Sequence, residues 1–309
     1  MRKIKHVEAE LLEIPYRAKL CLDKNKGLIL PEKIPYIGMG ASYFAAEVLK
    51  YLGVDISVEI ASEYYLCHND ESYFDDALII SQSGESLETL TCAKRFKSFY
   101  GIVNSADSQL AKMKNARKIV QLYAGTEKHS STKTFINTLV VLYLGHGIDP
   151  GPALQSIHNR FNYFRELGGS MGDIVLKRLK KKRHAGLYII GSGPNIGTVH
   201  QAAQVLTETT KLPFTGFPAA QYNYGLKEAA SNSFVIVLNP SGKYYERTNA
   251  LIRTIENAGA LFFEVNEDEL SEELSPFSMI LPFFFMAVYI ADKLKTSDDF
   301  IVGDKITLE

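Results

Sequence analysis

Short apolar runs alternate along this chain with longer stretches in which apolar residues recur every three or four positions. In the first half the runs Pro35–Gly38, Ile56–Ile60, Ala77–Ser81, Gly101–Asn104 and Lys118–Tyr123 predict strands. Amphipathic segments lie between them; around Tyr43–Tyr51, for example, Ala46, Val48, Leu49 and Leu52 fall near helical spacing. The strands are continuously apolar rather than alternating, which predicts a parallel sheet covered by helices on both faces.

The second half repeats the scheme. Strands are expected at Gly186–Gly191, Ser233–Asn239 and Leu261–Val265, with helices at Ile196–Thr210 and Tyr245–Ala258. A last strand, Ser278–Pro282, is expected to lead into a helix over Phe283–Leu294. Each half opens with a strand ending in Gly-x-Gly (Gly38-Met39-Gly40, Gly191-Ser192-Gly193). Each also carries a later strand followed by a Ser-Gly turn (Ser83-Gly84, Ser241-Gly242). The pattern predicts a duplicated α/β unit: an N-terminal helical arm over 1–33, a first domain over 34–150, a helical linker over 151–184 and a second domain over 185–309. The join between the halves, from about Gly145 to Ala185, holds a turn at Gly147–Gly151, a helical run Ala153–Leu167 and a basic run Lys177–Arg183. That basic run reads as a solvated last helical turn whose cations suit the negative dipole end.

Composition narrows the classes. At about 100–200 residues per domain, 309 residues accommodate two domains. With 34 basic against 35 acidic residues the net charge is −1, which gives no reason to expect a nucleic-acid surface. Three cysteines, Cys21, Cys67 and Cys92, with no CxxC pair and no Cys/His group at zinc spacing, fit a reducing cytoplasm and predict no metal. Acidic Glu8, Glu10 and Glu13 interrupt any secretory leader. The apolar run Met279–Ala291 falls short of the ~20 residues needed to span a bilayer. The expectation is a cytoplasmic protein without a membrane partner.

The chemistry concentrates in Ser81-Gln82-Ser83-Gly84-Glu85-Ser86-Leu87-Glu88-Thr89, which follows an apolar strand and leads into a helical stretch. A Ser/Gly-rich turn at a helix start offers hydroxyls, backbone N–H groups and the positive end of the helix dipole together. It can hold a phosphate without a lysine, and Gly84 lets the backbone come close. The same serines also suit a plain helix cap. Gly38–Ser42 and Ser130-Ser131-Thr132-Lys133-Thr134 are two further hydroxyl-rich turns opening helices. In a doubly wound sheet ligands gather at the carboxyl ends of the strands, so the three turns predict an anion-binding edge. Gly191–Gly197 has GxGxxxG spacing and lacks an acidic residue at the end of the next strand, so no nicotinamide cofactor, and no cofactor at all, is expected.

Gly-x-Gly-x-Ser at Gly38–Ser42, Ser-Gln-Ser-Gly-Glu-Ser at Ser81–Ser86, Ala124-Gly125-Thr126-Glu127 followed by Ser131-Thr132-Lys133, and Ile60-Ala61-Ser62-Glu63 together resemble a sugar isomerase (SIS) domain. The similarity runs over nearly the whole chain. It resembles the tandem SIS isomerase part of glucosamine-6-phosphate synthase and related archaeal glucosamine-6-phosphate deaminases. The resemblance implies two doubly wound, flavodoxin-like SIS domains in tandem, a phosphorylated sugar as partner, and a homodimer in which the loop around Tyr224 reaches a neighbouring subunit's site. Carried over by position, Ser42, Ser81, Gln82, Ser83 and Ser86 would hold the phosphate, and Ser131 and Thr132 would line the sugar site.

By spacing alone Glu208 and Lys305 read as a helix-surface glutamate and a tail lysine. The resemblance makes Glu208, in Leu206-Thr207-Glu208, the base that moves a proton between C1 and C2 of the open-chain sugar. It brings Lys305, in the terminal Gly303–Glu309, to the sugar carbonyl as Schiff-base former or as a charge near the enolate. A carboxylate does such work best when partial burial raises its pKa, and an ammonium steadies the enediolate oxygen.

Four positions depart from the family pattern. Tyr224 occupies the place of the ring-opening histidine, with Leu226 for the family proline. Gln201 and Val205 replace a glutamate and a lysine on the Glu208 helix. A phenol with a pKa near ~10 shuttles protons at neutral pH less well than imidazole. Ring opening therefore falls to Tyr224, to another group such as His200 or His129, or to none. Met1-Arg2 offers no N-terminal cysteine nucleophile for a glutaminase domain. The activity expected is isomerisation or deamination of a hexose or hexosamine 6-phosphate, of the glucosamine 6-phosphate/fructose 6-phosphate type. The alternatives are a fructosamine-phosphate deglycase and a non-catalytic phosphosugar sensor.

Overall fold

A computed structural model of the chain describes residues 5–67, 74–180, 186–296 and 302. They fall into two compact units: one spans Glu13–Gly151, the other Pro152–Phe300 together with the helix α1 (Lys5–Leu12). The next helix, α2 (Ile14–Lys24), belongs to the Glu13–Gly151 unit.

In that unit β1 (Pro35–Gly38), α3 (Ala41–Leu52), β2 (Ser57–Ile60), α4 (Ala61–Cys67), β3 (Asp76–Ile80), α5 (Leu87–Ala93), β4 (Ser98–Val103), β5 (Ala116–Gln121) and α6 (Lys133–Gly145) follow in order. All five strands are parallel, in the order β2-β1-β3-β4-β5. This is the flavodoxin-like order, whose carboxyl edge is where ligands bind. The physical origin is the apolar continuity of the strands: every residue of β1 is buried, as is Leu78 beside it in β3, paired with Tyr36. The edge strand β5 instead exposes Arg117 and Lys118, charges that discourage pairing with another sheet. Helix α6 is buried along almost its whole length, from Lys133 to Tyr143, so it reads as apolar all round rather than striped. Asn137 on α6 ties the unit together by donating to Arg17 O of α2 (3.1 Å) and to Leu122 O beyond β5 (2.8 Å).

The second unit contains α7 (Gly151–Leu179), β6 (Gly186–Gly191), α8 (Asn195–Thr210), β7 (Phe214–Pro218), α9 (Ala219–Asn223), β8 (Ser233–Pro240), α10 (Tyr245–Asn257), β9 (Leu261–Glu267), α11 (Ser275–Met279) and α12 (Leu281–Leu294). Its four strands are parallel in the order β7-β6-β8-β9. The basic run begins inside α7, where Arg178 Nη2 donates to Asn232 O (2.9 Å).

One expectation is corrected here, and one strand was not anticipated. Ser278–Pro282 is not a strand: Ser275–Met279 and Leu281–Leu294 are helical. Pro276 and Pro282 sit at the first positions of these helices, where a missing N–H costs nothing, and a short apolar run does not by itself separate strand from buried helix. The strand β7 was not anticipated, because Gly216 and Pro218 mask it; as an edge strand it tolerates the proline. Gly216 allows close contact with α8, since a Cβ there would lie 2.8 Å from Val199 C and 3.0 Å from His200 N.

The helical stretch Ser275–Leu294 is 20 residues long and apolar enough by length and composition to span a bilayer, longer than the apolar run suggested, but 78% of its most apolar 18-residue window is buried within the fold. Its α12 portion packs on α8, and Gly168 of α7 meets it backbone to backbone. A Cβ at Gly168 would contact Pro282 O and lie 2.8 Å from Met286 N. Alanine gains about 1 kcal/mol of helix propensity over glycine. Here, however, the obstacle is backbone, and overpacking costs about 1–3 kcal/mol. Gly168→Ala is therefore expected to lower the thermal midpoint; a midpoint at or above that of the unaltered protein would show that the crossing yields freely.

Candidate functional site

Three strand ends of the Glu13–Gly151 unit frame a cavity of about 550 Å³. Gln82 and Ser83 come from the turn after β3, Asn104 from the end of β4, Thr126 and Glu127 from the segment after β5, and Arg17 reaches in from α2. Asn104 is committed to holding the walls: its Nδ2 donates to Gly125 O (2.6 Å) and its Oδ1 accepts from Ala124 N–H (2.9 Å).

The Ser81–Ser86 turn is pinned from beneath. Ser81 is buried and its Oγ accepts from Gly84 N–H (3.1 Å), while Asn104 N–H donates to Gln82 O (3.0 Å). Gly84 has φ +65°, and a Cβ there would lie 2.5 Å from Ser108 Cβ, so the turn requires glycine on both counts. Ser83 is exposed and accepts from Glu85 N–H (3.2 Å), which leaves its hydroxyl proton to donate. Ser86 precedes α5 without spending its side chain on a cap. Gln82 and Ser83 are thus the members of this turn that face the cavity. Ser81 shapes the turn, and Ser86 does not line the cavity.

Ser42 sits buried in the first turn of α3, its N–H donating to Met39 O (3.1 Å), and it does not line this cavity. Gly38 permits that approach, since a Cβ there would lie 2.9 Å from Ser42 Cβ.

The third hydroxyl-rich turn is organised by a carboxylate. Thr132 N–H (3.0 Å), Lys133 N–H (2.9 Å), Thr134 N–H (3.4 Å) and Thr132 Oγ1 (3.0 Å) all donate to Glu127 Oε1, and the Thr134 hydroxyl donates to Glu127 Oε2. The start of α6, a natural anion site, is therefore occupied by the chain's own carboxylate. Ser131 Oγ lies 2.6 Å from Thr134 Oγ1. Ser131 and buried Thr132 do not line the cavity, although Glu127, which holds them, does.

Behind this turn Lys133, 1% exposed, donates from Nζ to Glu13 Oε2 (2.9 Å), and Arg17 Nε donates to the same oxygen (3.0 Å). The Lys133 hydrogen bond, opposed in part by desolvation, holds the Glu13 carboxyl below its ordinary pKa. A lowered folded pKa adds stability that is full above the unfolded value of about 4.3 and is lost as pH falls through the folded one. Glu13 is 43% exposed, so solvent reduces the effect. Glu13→Gln is expected to flatten the acid limb of the stability profile below about pH 4.5; an unchanged acid limb would remove Glu13 as its source.

Glu208 and Tyr224 belong to the other unit. Glu208 is half-buried near the end of α8, with Gln204 Nε2 donating to its Oε1 (2.7 Å) and Lys211 Nζ donating to its main-chain O (2.5 Å). Tyr224, at the end of α9, is 91% exposed. Gln201 and Val205 are buried in α8. Lys305 lies outside the described residues. Among the described residues no group of three or more His, Cys, Asp or Glu side chains could hold a metal ion.

Arg17 and the capping role of Glu127 were not anticipated. Glu127 left a trace, an acid shortly before a Thr-Lys-Thr helix start. Arg17 left none, being one of several cations on an amphipathic helix.

No protein-family model matches the chain. It is 27% identical to the glutamine–fructose-6-phosphate aminotransferase (isomerizing) of Wigglesworthia glossinidia brevipalpis, over 89% of this chain and 51% of that protein. The chain spans about half the length of the curated relatives it matches. Among solved structures it is similar to glucosamine-6-phosphate deaminase from Thermotoga maritima, with a TM-score of 0.76 at 20% identity over 97% of both chains. It is also similar to the C-terminal domain of glucosamine-fructose-6-phosphate aminotransferase from Francisella tularensis, with a TM-score of 0.71 at 18% identity over 93% of this chain and 95% of that one.

Proposed function

We propose that the chain is an SIS-domain protein that isomerises or deaminates a hexose or hexosamine 6-phosphate, with two SIS modules in tandem over 34–150 and 185–309; the similarity to the relatives above supports the family. The observation that carries this reading is the pinned Ser81–Ser86 turn, which presents Gln82 and Ser83 to a cavity at the carboxyl edge of a flavodoxin-like sheet. The names of the relatives, each concerned with glucosamine or fructose 6-phosphate, support the substrate class.

In this mechanism the phosphate rests on Ser83 and its neighbours, with Ser42, Ser86, Ser131 and Thr132 completing the walls when ligand is bound. Glu208 removes the proton beside the carbonyl and returns it to the adjacent carbon, and Lys305 steadies the developing enediolate or adds to the carbonyl. Tyr224, being almost fully exposed, serves a site completed by a second copy of the chain, so the active form is a homodimer. The test is direct. Glucosamine 6-phosphate and fructose 6-phosphate are incubated with the protein, and ketose, aldose and ammonia are measured. Turnover of either supports the reading. Tight binding without any product would make the protein a phosphosugar sensor instead, and cleavage of a fructosamine phosphate alone would make it a deglycase.

A further inference from the structure

The hydroxyl-rich turn was expected to bind a phosphate without a cation, yet Arg17 lines the same cavity as Gln82 and Ser83. It comes from α2, well upstream of the strands, and lies flat over Gly125: a Cβ there would be 2.7 Å from both Arg17 Cζ and Nη2. Gly125 has φ +72°, so the backbone there favours glycine and leaves room for the guanidinium. Arg17 spends Nε on Glu13 (3.0 Å), and that carboxylate is itself fixed by buried Lys133. Its two terminal nitrogens make no hydrogen bond within the described residues. The other charged group lining the cavity, Glu127, is saturated by the start of α6.

We propose that Arg17 is a ligand-binding residue that gives a charge-assisted, two-nitrogen contact to the phosphoryl group of the bound sugar. The proposal rests on the phosphosugar reading above and deepens it, because it makes the site selective for a dianionic ligand. A guanidinium held by one nitrogen with two parallel N–H groups free has the fork geometry that matches phosphate oxygens. The Glu13–Lys133 pair positions it, so little side-chain entropy is lost on binding. A Ser/Gly turn supplies direction; the guanidinium supplies the charge that favours a phosphorylated over an unphosphorylated sugar.

The experiment measures binding of glucosamine 6-phosphate and fructose 6-phosphate by calorimetry for the unaltered protein, Arg17→Met and Arg17→Lys, each at low and high salt and with a thermal melt. Expected are an affinity loss of about ten- to a hundred-fold in Arg17→Met, partial recovery in Arg17→Lys, and a flatter salt dependence in Arg17→Met. A purely structural role would lower the melt of both variants alike, without recovery by lysine, and would overturn the proposal. So would unchanged affinity in Arg17→Met while the unaltered protein binds; the phosphosugar reading would then stand without Arg17. If the unaltered protein binds neither sugar phosphate, the phosphosugar reading itself falls, and this proposal with it.

Discussion

Replacing Glu208 with glutamine is expected to reduce kcat on the sugar phosphate by about 10²–10⁴-fold, the usual contribution of a positioned general base. The substitution keeps the shape of the side chain. It also keeps an oxygen to accept from Gln204 Nε2, now 2.7 Å from Glu208 Oε1, so the packing of α8 and the fold are expected to survive. What disappears is the ability to carry a proton from one carbon to its neighbour. A group that acts only in the transition state lowers kcat and kcat/KM together, and sugar-phosphate affinity measured without turnover is expected to stay level. Loss of deuterium uptake from solvent at the carbon next to the carbonyl would report the same step. Equal kcat in the variant would take Glu208 out of the mechanism and leave the bound sugar without its proposed base.

The second large effect is expected in stability, from Glu127→Ala. The carboxylate accepts from three successive backbone N–H groups and two hydroxyls at the start of α6. Alanine leaves those donors beside a buried helix with no acceptor. Losing a helix cap costs about 0.5–2 kcal/mol, and hydrogen bonds to a charged group about 1.5–3 kcal/mol, so a total near 2–4 kcal/mol is expected for this overlapping set. Amide exchange at Thr132, Lys133 and Thr134 is expected to accelerate first, followed by a lower thermal midpoint. Glu127→Gln keeps one accepting oxygen and is expected to fall between the two. A Glu127→Ala protein with unaltered amide exchange at these three positions would mean that water or another group caps α6 equally well.

Much of this architecture could be read along the chain. Pro35–Gly38 and Gly186–Gly191 are strands over the expected residues, and α8 and α10 start and stop within a residue of expectation. Each is a local matter: apolar continuity for the buried strands, recurrence every three or four residues for the helices, glycine where the chain turns. The failures were also physical. Ser278–Pro282 is as apolar as a strand, and only burial against its neighbours makes it helical; β7 hides behind a glycine and a proline that an edge strand tolerates.

Within the site the same division holds. The tight Ser81–Ser86 turn and its need for glycine at position 84 were legible in the sequence, because hydroxyls and a positive φ are local requirements; its anion-binding role belongs to the proposal. Which of those serines faces a ligand is a different matter. Ser81 turned inward to hold Gly84, while Ser83 faced the cavity, and the packing of β3 against β4 decided between them. Arg17 and Glu127 acquire their roles only by folding, since one must travel from α2 to Gly125 and the other must curl back onto α6. Periodicity and turn chemistry are written residue by residue, and so the chain alone determined the buried strands β1, β6 and β8 and the tight Ser81–Ser86 turn. The placement of charge around that loop depends on contacts between segments far apart in the chain, and only the tertiary structure decided it.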